Sequence, residues 1–578
     1  MPYVAAKLNK VMRALVFILF SGVLCAAPKV AQADFDKLVD RYFDEYYRYH
    51  PSQATSDGFH QYDTQLEDYS LAAIAAETRS LEQLLTVFER FPVEGLSADA
   101  AADRELVIHK IRSRLLDLEK IRLWETDPDK YSSDIASSVF GIMSRSFAPP
   151  EARLKLVIAR EKLMPNALAQ GRRNLRNPPR VYTEVALEQL PGIAGFFKND
   201  VPAAFNSVTD RKLLDEFHAS NQAVIDALGE YQKFLKTTLL PHSNGDFRIG
   251  AENYRNKLLY DEMVDTPLDT LLEIGYKNLR QNQQAFRDTA AKIDPKRTPQ
   301  QILEELDKDH PPAAALLQTF RDVLTGLRQF IVSHKIVTIP SLASPAVVET
   351  PPFARALSTA SMDSPGPFER VAKEAFFNVT PPEPDWTKEH VEEHLASFNR
   401  GTIISTAVHE VYPGHYTQFL WKQAVPSKVR KLIDASTNSD GWAHYAEQMM
   451  LDEGYASGDL KVRLGQLQDA LLRNARFIVG IEMHTGRMTF AQGVDFFVKE
   501  GYQTRALAEG ETKRGASDPT YLYYTVGKLE ILKLREDYRK LRRARFSLLE
   551  FHDKFLAQGC PPIKIVRRAM LGNDTPVL

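Results

Sequence analysis

Two cysteines in 578 residues, Cys25 and Cys560, leave no basis for a disulfide framework. Cys25 falls inside an N-terminal segment laid out like an export signal, so cleavage there leaves Cys560 alone and no intrachain bridge is expected. The fold must then rest on its apolar core, with the remaining thiol read as a small buried hydrophobe. Excess charge of one sign is also lacking. Lys and Arg number 73 against 75 Asp and Glu, a net charge of -2, which offers no footprint for nucleic acid or a membrane surface. Beyond the first segment no apolar run is long enough to span a bilayer. No fixed-period repeat or low-complexity tract breaks the chain.

What is present divides the chain into four parts. Residues 1–33 read as a signal peptide: Lys7, Lys10 and Arg13 form a basic start, an apolar stretch runs from Ala14 to Ala27, and Ala31-Gln32-Ala33 is a small-x-small cleavage site. Leu24 before Cys25 is a poor match to the small residue that lipid attachment expects, so soluble release into a periplasm or beyond is the reading. Residues 34–335 carry helical periodicity, as in Leu81, Leu84, Leu85 and Phe88, interrupted at Pro92, Pro149-Pro150, Pro178-Pro179, Pro241 and Pro311-Pro312. Residues 336–384 are rich in proline and β-branched residues, with Ile336–Ile339 and Ala375–Thr380 as strand candidates. Residues 385–578 are helical again. The expected architecture is mainly α, a multi-helix array of two lobes with a small β-sheet beside the helix that carries the motif described next.

That motif is His409-Glu410-Val411-Tyr412-Pro413-Gly414-His415. Two imidazoles and a carboxylate so close together suit Zn²⁺, with Glu410 as the base that takes a proton from a water the metal acidifies. On an unbroken helix His415 would lie about 240° around from His409, so the pair can chelate only if the helix breaks. Pro413 and Gly414 supply the break. A third ligand should come from the segment Ser439-Asp440-Gly441-Trp442-Ala443-His444-Tyr445-Ala446-Glu447. Asp440 and Glu447 are about 700° apart along a helix, nearly one face, so both carboxylates are candidates. Alternatives stay open: Ser439 and Asp440 also suit a helix N-cap, and Glu447 also suits an acceptor that orients a ligand histidine. A rival signature, His390-Val391-Glu392-Glu393-His394, reads H-x-x-E-H.

The pair HEVYPGHYTQ and DGWAHYAEQMM resembles the bacterial DUF885 proteins, which carry an HExxPGH motif and an EGWAxYxE motif. The likeness extends from Pro51-Ser52-Gln53-Ala54-Thr55 through Glu392-Glu393-His394-Leu395 to Phe551-His552-Asp553. Those proteins resemble in turn the gluzincin-type zinc peptidases. The resemblance implies zinc on His409 and His415, with Asp440 where the family usually has Glu, and Tyr416 where many members have a second histidine. It implies an edge strand, Phe376 to Thr380, that pairs with an extended peptide, and an oxyanion donor at Tyr524. Arg535 or Lys528 is a candidate for binding a substrate carboxylate, with a solvated helix face as the alternative.

These readings converge on an exported zinc-dependent peptidase acting on peptide substrates, with no nucleic-acid partner and no integral membrane segment after signal cleavage. The alternatives are a weakly active or inactive peptide-binding protein, motivated by Asp440, and a metallohydrolase of another amide or ester bond.

Overall fold

Apolar residues three and four apart do form helix faces: Leu81, Leu84 and Phe88 are buried along the helix Leu71–Arg90, which Ser70 caps by accepting the Ala73 N–H. Prolines act as starts and stops. Pro150 opens the helix Pro150–Glu161, Pro179 precedes Arg180–Gly195, and Pro311-Pro312 precede Leu316–Ser333. The computed structural model describes residues 27–351, 355 and 359–578. Most of the expected export signal, residues 1–26, lies outside them; residues 27–33 open the first described helix, Ala27–Tyr49. With 70% helix and 3% strand the fold is mainly α. Among the described residues no helix is long and apolar enough to cross a membrane.

Three short strands, β1 (Ala346–Glu349), β2 (Ala360–Asp363) and β3 (Phe376–Val379), form one sheet in the order β1-β3-β2. β1 runs parallel to β3 with Val347 opposite Phe377, and β2 runs antiparallel with Met362 opposite Phe377. This corrects two expectations. The segment Phe376–Thr380 is the central strand, because Phe377 and Val379 are buried in the core and both flanks are paired; β1 and β2 are the edges, and β2 is the one beside Glu410. Ile336–Ile339 is not a strand, because side chains take its backbone groups. His552 Nδ1 contacts the Ile336 carbonyl, Asp553 accepts the Thr338 N–H, and Trp421 Nε1 donates to the Thr338 carbonyl.

The sheet shares a core with several helices, among them α1 (Arg400–Glu410), α2 (His415–Ala424), α3 (Ser436–Asp452), α4 (Leu460–His484) and α5 (Tyr523–Arg542). That core joins Phe377 of the sheet to Val408, Tyr412 and Trp442, while the residues from Tyr131 to Leu239 build a separate one. Missing side chains let α3 touch α5, and α1 touch α4, backbone to backbone. A Cβ on Gly527 of α5 would stand 1.8 Å from the Thr437 carbonyl of α3, and one on Gly401 of α1 would stand 3.0 Å from Gly465 of α4. The N-terminus of α3 is capped from outside: Glu262 accepts the backbone N–H groups of Ser436 and Thr437.

Gly527→Ala is therefore expected to cost about 3 kcal/mol, the upper range for overpacking. Gly229, an exposed glycine in the helix Arg211–Phe234, has nothing within 4 Å of its would-be Cβ. Its replacement by Ala should hold or raise the thermal midpoint. Equal midpoints for the two variants would contradict the close crossing of α3 and α5.

Candidate metal centre

α1 begins at Asn399, whose side chain accepts the N–H groups of Gly401 and Thr402, and ends at Glu410. The chain then turns through a cis Tyr412–Pro413 peptide to Gly414 and re-enters a helix at His415. Gly414 sits so close to the end of α1 that a Cβ there would be 1.8 Å from the His409 carbonyl. Only glycine permits that approach. Trp442, fully buried on α3, donates its indole N–H to the Pro413 carbonyl at 2.8 Å and pins the turn against the next helix.

The turn brings His415 back to His409, with ring centroids 4.8 Å apart and planes at 88°. Asp440 arrives from the second turn of α3. Its Oδ1 lies 4.0 Å from His409 Nε2 and 3.7 Å from His415 Nε2. Donor atoms of all three residues fall within 4.8 Å of one another, and among the described residues no other cluster of three or more His, Cys, Asp or Glu could hold an ion. A tetrahedral zinc with bonds of about 2.0–2.2 Å needs donors roughly 3.3–3.6 Å apart, so the set fits once its widest pair closes by about 1.2–1.5 Å. Two imidazoles and a carboxylate also leave a fourth position open, the pattern of a catalytic rather than a structural site. The aspartate stem is long enough. Asp440 is not the N-cap of α3, because the helix starts four residues earlier and Glu262 serves there.

Glu447 is on the expected face of α3 but two turns on, about 10.5 Å along the axis from Asp440. It therefore meets the opposite nitrogen of the same imidazole: Glu447 Oε1 is 2.7 Å from His409 Nδ1. This corrects its reading as a metal ligand and leaves it as the acceptor that orients the His409 ring. With Nδ1–H donating to Glu447, the Nε2 lone pair faces Asp440 and His415. Glu447 also lies 2.9 Å from His444 Nδ1 and 3.0 Å from Arg473 Nη2. Burial alone would raise its pKa, but Arg473 and then His444 and Lys528 overcome that and hold it below the ordinary carboxylate value. Burial, the neighbouring His415 and Arg473 push His409 well below its usual value, so it stays the neutral imidazole that a metal requires.

Glu410 stands beside the histidines and accepts the Met362 N–H from β2 at 2.9 Å. Burial pushes its carboxyl up to about 7, with Asp440 adding to the rise and His415 opposing it. A dication at the site would draw it back down. The Tyr524 ring lies 6.2 Å from the His409 ring, is mostly buried, and has its hydroxyl hydrogen-bonded by Arg514 at 3.2 Å.

The other sequence candidates lie elsewhere. His390 stacks on Trp386 at 3.9 Å, and His394 Nε2 contacts the Thr380 carbonyl. Arg535 donates to the Tyr445 hydroxyl, and Lys528 is buried behind Glu447. Sequence reasoning missed Met362, His444, Arg473 and Arg476. The last two carry no motif, and only their spacing on a helix of buried residues hinted at inward positions.

Comparison with known proteins agrees with this fold. The family described as "Bacterial protein of unknown function (DUF885)" matches residues 51–570. A solved structure described as a "putative lipoprotein of unknown function" from Shewanella oneidensis is 26% identical; the match covers 93% of this chain and 99% of that one, with a TM-score of 0.78. Another solved structure, described in similar words and from Colwellia psychrerythraea, has a TM-score of 0.80 at 16% identity over 93% of this chain and 98% of that one, a likeness of fold. No curated protein matches the sequence.

Removing the orienting carboxylate tests the arrangement. Glu447→Gln should weaken zinc binding by about 10–100-fold, the usual cost of losing such a partner, in a competition titration against a chromophoric chelator. Unchanged affinity would contradict the assigned role.

Proposed function

The chain belongs to the DUF885 family, and from that premise we propose that it is an exported zinc-dependent peptidase acting on extended peptides. The observation that carries the proposal is the convergence of His409 Nε2, His415 Nε2 and Asp440 Oδ1 on one point, with Glu410 and the Met362 backbone of β2 beside it. His409, His415 and Asp440 would hold the ion. When bound, zinc supplies Lewis acidity that acidifies a water and polarises a carbonyl.

The chain supplies the rest. Glu410 Oε2 is anchored on the Met362 N–H, which leaves Oε1 to take the proton released as the water oxygen adds to the peptide carbonyl carbon. The same carboxyl returns that proton to the amide nitrogen as the C–N bond breaks, so no charge is left on the leaving amine. In an antiparallel pair a residue's N–H and C=O point to one side. The Met362 carbonyl therefore lies on the outer edge of β2, next to Glu410, where it can accept an N–H from an extended peptide. Backbone pairing of this kind binds peptides with little regard to side chain. Tyr524 accepts a hydrogen bond from Arg514 and keeps its own hydroxyl proton, which lies near enough to be donated to a developing oxyanion. The signal-like layout of residues 1–33 supports export, and the 26% identical solved structure from Shewanella oneidensis is described as a "putative lipoprotein".

Glu410→Gln should retain one zinc and lose at least about 100-fold in peptide cleavage, the scale of general-base catalysis. Full activity in that variant would overturn the mechanism. Absence of cleavage of any peptide by zinc-loaded wild type would overturn the peptidase reading.

A further inference from the structure

Three guanidiniums surround the ring of Tyr524. The central carbons of Arg476, Arg473 and Arg514 lie 5.0, 5.4 and 5.8 Å from its centre. Their charges are not equivalent. Arg473 is paired with Glu447 at 3.0 Å, and Arg476 makes a two-pronged contact with Glu511 at 2.6 and 2.7 Å; both arginines are nearly buried. Arg514 is different. Its Nη2 donates to two phenol hydroxyls, Tyr523 and Tyr524, each at 3.2 Å, and its nearest carboxylate, Asp518, stays 3.7 Å away. Its side chain is 39% exposed. The cluster thus holds one cation with no carboxylate in hydrogen-bond contact, fixed by two hydroxyls and open to solvent.

The position of this cation relative to the candidate metal centre matters. The Tyr524 ring that Arg514 covers is 6.2 Å from the His409 ring. The guanidinium and the histidines are therefore separated by no more than about four extended residues at roughly 3.3–3.6 Å each. A guanidinium with free N–H groups matches a carboxylate in a two-pronged geometry that an ammonium cannot reproduce.

Resting on the peptidase reading above, we infer that Arg514 receives a carboxylate of the peptide substrate, above all the free α-carboxylate, so that the site removes short segments from peptide C-termini. Tyr523 and Tyr524 hold the guanidinium in place, and Arg473 and Arg476 are kept from the role by Glu447 and Glu511. The sequence signal was slight: Arg514 sits nine and ten residues before the two tyrosines, inside the helix Arg505–Ser517 and outside both motifs.

Binding can be read without turnover. In the Glu410→Gln protein loaded with zinc, calorimetry would compare three probes: benzoyl-Gly-Gly-Phe with a free carboxylate, its C-terminal amide, and benzoyl-Gly-Gly-Glu amide. The free acid should bind at least about tenfold tighter than its amide, the scale of a charge-assisted contact. Adding Arg514→Gln should collapse that gap to under about threefold, while Arg514→Lys should keep part of it. Tighter binding of the glutamate amide alone would move the recognised group from the α-carboxylate to an acidic side chain and overturn C-terminal selection. Equal binding of acid and amide, no binding of any probe, or a gap that survives in a folded Arg514→Gln variant would overturn the inference. If the gap appears but wild type cleaves none of the peptides, the carboxylate site stands and the peptidase reading falls.

Discussion

A single buried carboxylate, Glu447, ties together the side chains behind His409. It is shared by His409 Nδ1, His444 Nδ1 and Arg473, with no solvent to stand in for any of them. An ion buried in this way is tolerable only while its partners stay in place, and breaking such a pair typically costs about 3–5 kcal/mol. The carboxylate therefore does more than orient one imidazole. It fixes α1, α3 and α4 relative to one another, since His409, Glu447 and Arg473 come from those three helices. Arg473 in turn packs on Tyr524 beside Arg476, which is locked by Glu511, so the same network reaches α5.

Close helix contacts make this network possible. The glycines at 401 and 465, and at 441 and 527, bring α1 onto α4 and α3 onto α5 with no side chain between them. Gly414 does the same for the turn that returns His415 to His409. Each position is a glycine for want of space rather than for an unusual φ. Glu262 and Trp442 then set the register, one holding the start of α3 and the other tying the turn at Pro413 to the same helix.

Much of this was legible in the residues. Helices followed from three-and-four spacing and from prolines at their starts, and the broken helix after Glu410 followed from Pro413-Gly414. The sheet was harder. Phe376–Val379 reads as a strand because it is apolar, and for the same reason it lies at the sheet centre, whereas the edge Ala360–Asp363 contains no β-branched residue and carries no strand signal. Angular position placed Asp440 and Glu447 on one face, but the rise along the axis, which a face argument ignores, puts them on opposite sides of the His409 ring. The arginines around Tyr524 were illegible, since their partners Glu447 and Glu511 are 26 and 35 residues away from Arg473 and Arg476.

The central claim is that one metal ion sits between His409, His415 and Asp440. An anomalous difference map, collected at the zinc edge from crystals of the zinc-loaded protein, tests it most directly. The account predicts one strong peak about 2.0–2.2 Å from both histidine Nε2 atoms and from an Asp440 carboxylate oxygen. A peak at His390 and His394, or none at the His409 cluster, would contradict it.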